Sequence, residues 1–246
     1  MGEMWRVLDT GLRSAAQNIA LDRALLEARA AEEISSTLRF SRFAPSALLA
    51  CRQSAAQEFD LEDCNAAGVT VQRRITGGDA MVCDGAQLGW ALYLHQRDIR
   101  AFDVQAVAKR VCHAVATAVG ALGVAAGFRA RHDIEVDGRT IGSAGGAFED
   151  DAVLYQGVLL MDLDLGSRLR AMRTPAAAPS DQVLAAARER VTDLKNVLGR
   201  RPDAGVLKRN VVAAFESEFA VELHDGELSL TEHARYQNSL AEIEAP

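Results

Sequence analysis

Lysine is scarce in this chain, which contains it only at Lys109, Lys195 and Lys208 among 246 residues. The other basic side chains are arginines, so the binding of anions falls mainly to guanidinium groups, which pair with carboxylates and phosphates through two parallel hydrogen bonds. Acidic residues outnumber basic ones by 34 to 27, and the net charge is -7. This balance argues against nucleic acid as a partner.

Cysteine is also sparse, and its spacing excludes two common structural roles. None of the four cysteines forms a CxxC pair, so neither a zinc knuckle nor a disulfide framework is indicated. We expect reduced and mostly buried thiols in a cytoplasmic protein. The cysteines are Cys51, Cys64, Cys83 and Cys112.

Long apolar runs are absent as well. No stretch approaches the roughly 20 residues that a membrane-spanning helix needs, and the first nine residues lack the pattern of a signal peptide. We therefore expect no membrane association. The hydrophobic share of 49% is nevertheless enough for a sizeable core, and the length suits one large domain, alone or with a small second one.

Alternating strand and helix patterns predict an α/β (α+β) fold. Apolar residues recur at helical spacing in residues 14–31 and 104–122. Asp137 and Gly138 mark a tight turn between two strands. Strand patterns cover residues 5–9, 38–42, 46–51, 88–94, 134–136, 140–144 and 153–165.

Composition changes after residue 172. Residues 172–181 are rich in alanine and proline, which is typical of a linker. Beyond it, residues 183–198 and 205–219 have helical spacing. We expect residues 1–172 to form one α/β domain and residues 180–246 a separate, small helical domain.

An arginine–glycine stretch, residues 71–84, predicts a strand, a tight glycine turn and a second strand. Glycine allows close approach of a ligand to backbone N–H groups, and arginine binds carboxylates and phosphates. This combination suits an anion site, although an ordinary glycine hairpin with solvated arginines is the alternative. The residues concerned are Arg73, Arg74, Thr76, Gly77 and Gly78.

Several motifs stand in a recognisable order along the chain. They are residues 17–22 (QNIALD), 73–78 (RRITGG), 133–144 (DIEVDGRTIGSA), 156–165 (QGVLLMDLDL) and 190–194 (RVTDL). Together they resemble the lipoate–protein ligase and octanoyltransferase family, which is related in fold to biotin–protein ligases. The resemblance covers nearly the whole chain and implies a mixed sheet flanked by helices.

The resemblance also implies a reaction and a site. Family ligases use ATP and Mg²⁺ to convert lipoate or octanoate into an acyl-adenylate, which a lysine of a lipoyl carrier domain then attacks. The carrier would be similar to a glycine-cleavage H protein or a dehydrogenase E2 domain. The acyl chain would occupy a tunnel with its polar end at the two arginines. The implied substrate-binding residues are Arg73, Arg74, Thr76, Gly77, Gly78, Asp133, Gly142, Ser143 and Ala144.

The chain departs from the family at its signature lysine. Counting forward from the Asp-Gly turn puts that position at Thr140, and counting backward from Gly142 puts it at Arg139. We expect Arg139 to face the glycine turn and Thr140 to point the other way, because adjacent strand residues face opposite sides. Arg139 would supply a fixed charge but no general base, since guanidinium stays protonated.

Other departures leave alternatives open. Asp79 replaces a glycine and is expected to face outward from its turn, while Cys83 replaces a histidine and is expected in the core. Some octanoyltransferases of the family use a cysteine nucleophile shortly before the Asp-Gly turn. The matching residues 124–132 contain no cysteine, which disfavours a thioester intermediate of that kind. The alternatives to a ligase are a non-catalytic paralogue that binds acyl ligand or carrier protein, or a subunit completed by another protein.

Overall fold

The computed structural model describes residues 3–99, 104–129, 133–173 and 180–244, and within these ranges the chain forms two β-sheets flanked by helices. In chain order the elements are β1 (Glu3–Arg13), α1 (Ala15–Ala30), β2 (Thr37–Phe43), β3 (Ser46–Leu49), α2 (Ala55–Glu58), α3 (Leu61–Ala66), β4 (Thr70–Arg73), β5 (Met81–Cys83), β6 (Gln87–His95), α4 (Gln96–Ile99), α5 (Val104–Gly120), β7 (Ala126–Arg129), β8 (Asp133–Val136), β9 (Arg139–Glu149), β10 (Ala152–Leu160), α6 (Leu165–Ala171), α7 (Asp181–Arg190), α8 (Leu194–Leu198), α9 (Ala204–Phe219), β11 (Val221–Asp225) and α10 (Leu230–Glu244).

The larger sheet has the order β11-β1-β2-β6-β10-β9-β8-β7. Its pairs β11–β1 and β1–β2 are parallel and the others are antiparallel. The predicted α/β class, with a mixed sheet flanked by helices, is confirmed. No helix among the described residues has the length and apolar character needed to cross a bilayer.

The two faces of this sheet bury different helices. On one face, α5 and α9 cover the aromatic residues Trp5, Trp90 and Tyr155. On the other face, Leu25 and Leu26 of α1 pack with neighbouring strand residues. Helix α1 starts cleanly because Ser14 and Gln17 form a reciprocal capping box. This helix forms one wall of the cavity described below.

The C-terminal segment belongs to the same core, unlike the separate domain expected from the sequence. Strand β11 extends the main sheet at β1, and Phe215 of α9 is fully buried in the main hydrophobic cluster. Helix α10 packs on α1, and its Glu232 forms a 2.5 Å ion pair with Arg6 of β1. The helical periodicity was visible in the sequence, but the strand partner of β11 was not. The expected linker falls largely on residues 174–179, which lie outside the described residues.

The arginine–glycine stretch is not a hairpin, which corrects the expectation. Strands β4 and β5 do not pair with each other, because β3 lies between them in a second sheet of order β4-β3-β5. Strand β3 pairs in parallel with β4 and antiparallel with β5. The glycine turn between them therefore crosses over the end of β3 and reaches towards the main sheet.

Candidate functional site

A cavity of about 360 Å³, named the main cavity for its position at the motif residues rather than for its size, lies between α1, the glycine turn (residues 74–79) and strands β9 and β10. One group of lining residues is apolar, and a second group carries charged or hydrogen-bonding side chains. The apolar group is Ile19, Phe43, Leu48, Met81 and Val158. The polar group is Asp22, Ser41, Arg74, Thr76, Asp79, Asp133, Ser143 and Gln156. This arrangement suits a ligand with an apolar chain and a polar end.

Arg74 lines the cavity and holds the glycine turn in shape. Its guanidinium donates to the carbonyl oxygens of Leu48 at 3.3 Å, Gly77 at 3.1 Å and Asp79 at 3.0 Å. A weaker contact of 3.4 Å joins its Nε to the hydroxyl of Thr76. Burial lowers the pKa of Arg74, although a guanidinium remains charged at neutral pH. The cavity therefore contains a fixed positive charge beside its turn.

Arg73 does not line this cavity, which corrects the expectation that both arginines meet the ligand. Its guanidinium turns away and donates to the carbonyl oxygens of Ala50 at 3.1 Å and Gln53 at 2.6 Å. Adjacent residues of an extended chain point to opposite sides, so only Arg74 can face the cavity. Arg73 instead fixes the loop that follows β3.

The glycine turn touches β9 closely. The N–H of Gly77 donates to the carbonyl of Gly146 at 3.2 Å, and Gln156 of β10 donates to the hydroxyl of Thr76 at 2.9 Å. A Cβ at Gly145 would lie 2.5 Å from the carbonyl oxygen of Gly77, a distance that only glycine avoids. Gly78 has a φ of +104°, which also favours glycine. Glycines on both segments thus close this wall of the cavity.

The Gly-Ser-Ala segment is divided between two cavities. Ser143 and Ala144 line the main cavity, as expected, whereas Gly142 lines only a smaller one of about 40 Å³. A Cβ at Gly142 would lie 2.5 Å from the carbonyl oxygen of Val158, so the glycine permits close strand packing. Asp133 pairs with Ser143 across β8 and β9 and also lines the main cavity.

Arg139 lies on the opposite face from the cavity, contrary to the expectation. The register of β8 and β9 shifts between Ile134 and Glu135, which leaves Ile141 as an extra residue in β9. Because of this bulge, Thr140 points to the same face of the sheet as Ser143. Arg139, the cross-strand partner of Val136, points to the other face. Arg139 lines a separate groove with Asp164, Arg188 and Asn196. Thr140 lines the 40 Å³ cavity.

A buried polar cluster at the wall of the cavity was not predicted from the sequence. Arg39 donates to Asp22 at 2.7 Å and also to Asn18, and the hydroxyl of Tyr93 donates to the same Asp22 oxygen at 2.5 Å. Desolvation raises the pKa of Asp22, although Arg39 opposes the shift. Asn18 and Asp22 interrupt the apolar stripe of α1, and that interruption was the available signal.

Carboxylates dominate the charge of the main cavity. Asp22, Asp79 and Asp133 all line it. Asp79 is exposed, as expected for an outward-facing turn residue, and it borders the cavity from the turn. No group of three or more histidine, cysteine, aspartate or glutamate side chains suited to a metal occurs among the described residues.

Cys83 is a buried thiol, as expected. It packs with Ile19, Leu48 and Val158, and burial raises its pKa to about 11. The thiolate population at neutral pH is therefore very small, which makes Cys83 a poor nucleophile.

Comparison with known proteins relates this geometry to a family. The model for the lipoyl protein ligase A/B catalytic domain matches residues 14–216. A protein named octanoyltransferase LipM from Moorella thermoacetica is 28% identical, covering 99% of this chain and 96% of that protein.

Solved structures share the fold. A chain from the bipartite lipoate protein ligase of Thermoplasma acidophilum, described with its E2 lipoyl domain, has a TM-score of 0.84 at 20% identity, covering 97% of this chain and 92% of that one. Lipoate-protein ligase A bound with ATP has a TM-score of 0.82 at 20% identity, covering 98% and 94%. This chain belongs to the lipoyl protein ligase A/B catalytic domain family, and it is an enzyme of the ligase or acyltransferase type.

Proposed function

We propose that the protein binds a lipoyl or octanoyl group in the main cavity, activates it as an acyl-adenylate and transfers it to a lysine of a carrier domain. The observation that carries this proposal is the 360 Å³ cavity with an apolar lining next to the buried charge of Arg74. Its volume falls at the lower end of the range for small-ligand sites, about 300–1,000 Å³.

The chain's own residues would position the reacting group. Ile19, Leu48 and Val158 would hold the acyl chain, and Arg74 would place a positive charge in the same cavity. A lysine amine then forms an amide bond with the acyl carbon, the bond to the AMP oxygen breaks, and the amine releases a proton. Positive charge near the phosphate stabilises the charge that develops on the leaving group.

ATP and Mg²⁺ are the implied co-substrate and metal. Adenylation supplies a good leaving group, which a free carboxylate lacks. Asp79 and Asp133 would hold Mg²⁺ bound to phosphate, because both line the cavity. The ATP-bound structural neighbour supports nucleotide use in the same fold.

The partner we propose is a lipoyl carrier domain similar to an E2 domain or a glycine-cleavage H protein. The structural neighbour described with an E2 lipoyl domain supports this class of acceptor. The acceptor lysine must reach the polar end of the acyl group in the main cavity.

The test measures pyrophosphate release and acylation of a purified carrier domain by mass spectrometry. Octanoate or lipoate with ATP and Mg²⁺ should give both signals. Omission of ATP should abolish them, and an octanoyl thioester supplied without ATP is the comparison. Carrier acylation from the thioester alone would contradict adenylation and favour direct acyl transfer.

A non-catalytic acyl-binding paralogue is the second candidate. Two observations favour it. No lysine stands at position 139 or 140, and three carboxylates share the cavity with Arg74. For such a protein, octanoyl-adenylate should bind in calorimetry while pyrophosphate release stays at the level without enzyme.

A further inference from the structure

The small cavity beside Thr140 contains an arginine that the sequence motifs do not include. Arg168 of α6 lines this 40 Å³ cavity together with Thr140, Gly142 and Ser143. The small cavity and the main cavity share Met81, Ser143 and Val158 as lining residues, so the two adjoin. Arg168 therefore lies beside the position at which the family would place its lysine.

The charge of Arg168 has no direct partner in the part of the chain that the structure describes. Its side chain forms no ion pair within 4.0 Å and no hydrogen bond among the described residues, although Asp84 lies close enough to affect it electrostatically. The side chain is half-buried, and desolvation lowers its pKa. A half-buried guanidinium without a partner among the described residues has N–H donors available to an anion, and this position next to Thr140 and Ser143 favours a role in binding one.

The size of the small cavity limits what the anion can be. The small cavity of about 40 Å³ has room for a compact polar group rather than for an acyl chain. Arg168 also borders a larger groove of about 490 Å³ that contains Asp84 and Asp164. The apolar residues of the main cavity would hold the chain of the same ligand. The two cavities together therefore match a molecule that ends in an anionic group.

We propose that Arg168 binds the anionic group of the acyl donor, a carboxylate or a phosphate, and so supplies the charge that residues 139 and 140 do not. This inference rests on the proposed function. A charge supplied from α6 rather than from β9 explains how Thr140 can occupy the strand position without loss of ligand binding. Arg139 cannot fill this role because it lies on the other face of β9.

Calorimetry with octanoate and octanoyl-adenylate tests the proposal, with octanamide as the uncharged probe. Arg168→Gln should weaken binding of at least one anionic probe about 10- to 100-fold, the range for a hydrogen bond to a charged group. A loss with octanoate assigns the carboxylate, and a loss with octanoyl-adenylate alone assigns the phosphate. The affinity for octanamide should stay the same.

Three further variants separate binding from folding. Arg170→Gln is the matched control, because Arg170 is exposed on the same helix and does not line the small cavity. Arg168→Lys should retain part of the affinity for the anionic probe. Adding Thr140→Lys to the Arg168→Gln variant should raise that affinity at least tenfold. Arg168→Gln should not lower the unfolding temperature, because it removes a charge without a partner.

Three results would overturn the proposal. If wild type binds the anionic probes and Arg168→Gln binds them equally well, Arg168 has no such role while the proposed function stands. A fall in unfolding temperature that accounts for the loss of binding would make Arg168 a structural residue. If wild type binds none of the probes, the proposed function fails, and this inference fails with it.

Discussion

At the scale of single residues, neighbouring arginines have separate tasks. Arg74 faces the cavity, and Arg73 fixes the loop after β3 through the carbonyls of Ala50 and Gln53. Arg74→Ala should weaken binding of octanoyl-adenylate by about 1.5–3 kcal/mol, the range for hydrogen bonds to charged groups. Arg73→Ala should leave that affinity unchanged. Calorimetry on the two variants checks this difference, and equal losses would contradict it.

The buried pair Arg39–Asp22 gives a second prediction at this scale. Both side chains are at most 4% exposed, so removal of one partner leaves an uncompensated buried charge. Arg39→Met should lower the free energy of unfolding by about 3–5 kcal/mol, measured by urea denaturation. The exposed pair Arg23–Glu242 provides the control, and Arg23→Met should cost less than about 1 kcal/mol. Similar losses in the two variants would show that the Asp22 cluster does not depend on Arg39.

At the scale of elements, the cavity depends on contact between the glycine turn and β9. Gly145→Ala would put a Cβ 2.5 Å from the carbonyl oxygen of Gly77, so one of the two segments must move. We expect a loss of about 1–3 kcal/mol in stability, together with weaker binding of octanoyl-adenylate. Gly127→Ala in β7 is the control, because nothing lies within 4 Å of its Cβ position. If Gly145→Ala has stability and affinity close to those of wild type, the contact between Gly77 and Gly145 does not shape the cavity.

Local patterns predicted most of these elements but not how they pair. The alternation of Leu88, Trp90 and Leu92 predicted β6, and helical spacing predicted α1 and α5. The glycine stretch looked like a hairpin because its own residues carry no sign that β3 inserts between β4 and β5.

The sequence indicated the glycine turn and the Gly-Ser-Ala strand of the candidate site, but it did not indicate which charged side chains lie there. Ser143, Ala144 and Asp133, which the resemblance implies as substrate-binding residues, line the main cavity. The bulge at Ile141 reverses the faces of Arg139 and Thr140, and a residue count along the strand cannot reveal a bulge. Arg168 lies in α6, a short helix separated from that strand by β10, so only the folded chain brings it near Thr140.

At the scale of the whole molecule, the first and last elements are joined. Strand β1 pairs with β11, which is more than 200 residues away, and α9 packs on α5 within the main core. Fully buried apolar side chains of this type contribute about 1.5–3 kcal/mol each. Three of them come from α9: Leu207, Val211 and Phe215. Such distant pairing leaves no local signal, which is why the sequence suggested a separate C-terminal domain.

The β1–β11 pairing and the α9–α5 packing predict how the protein should respond to cleavage of the chain. Cleavage at a specific protease site introduced within residues 174–179 would break the covalent link between β1 and β11. The pairing of these strands and the α9–α5 contact would remain. The two fragments should therefore elute together from a size-exclusion column and unfold in one transition. The N-terminal fragment produced alone should expose Trp5 and lose stability, because β11, α9 and α10 no longer cover β1, α5 and α1. An N-terminal fragment that elutes as a stable monomer with native circular dichroism would instead support two independent domains.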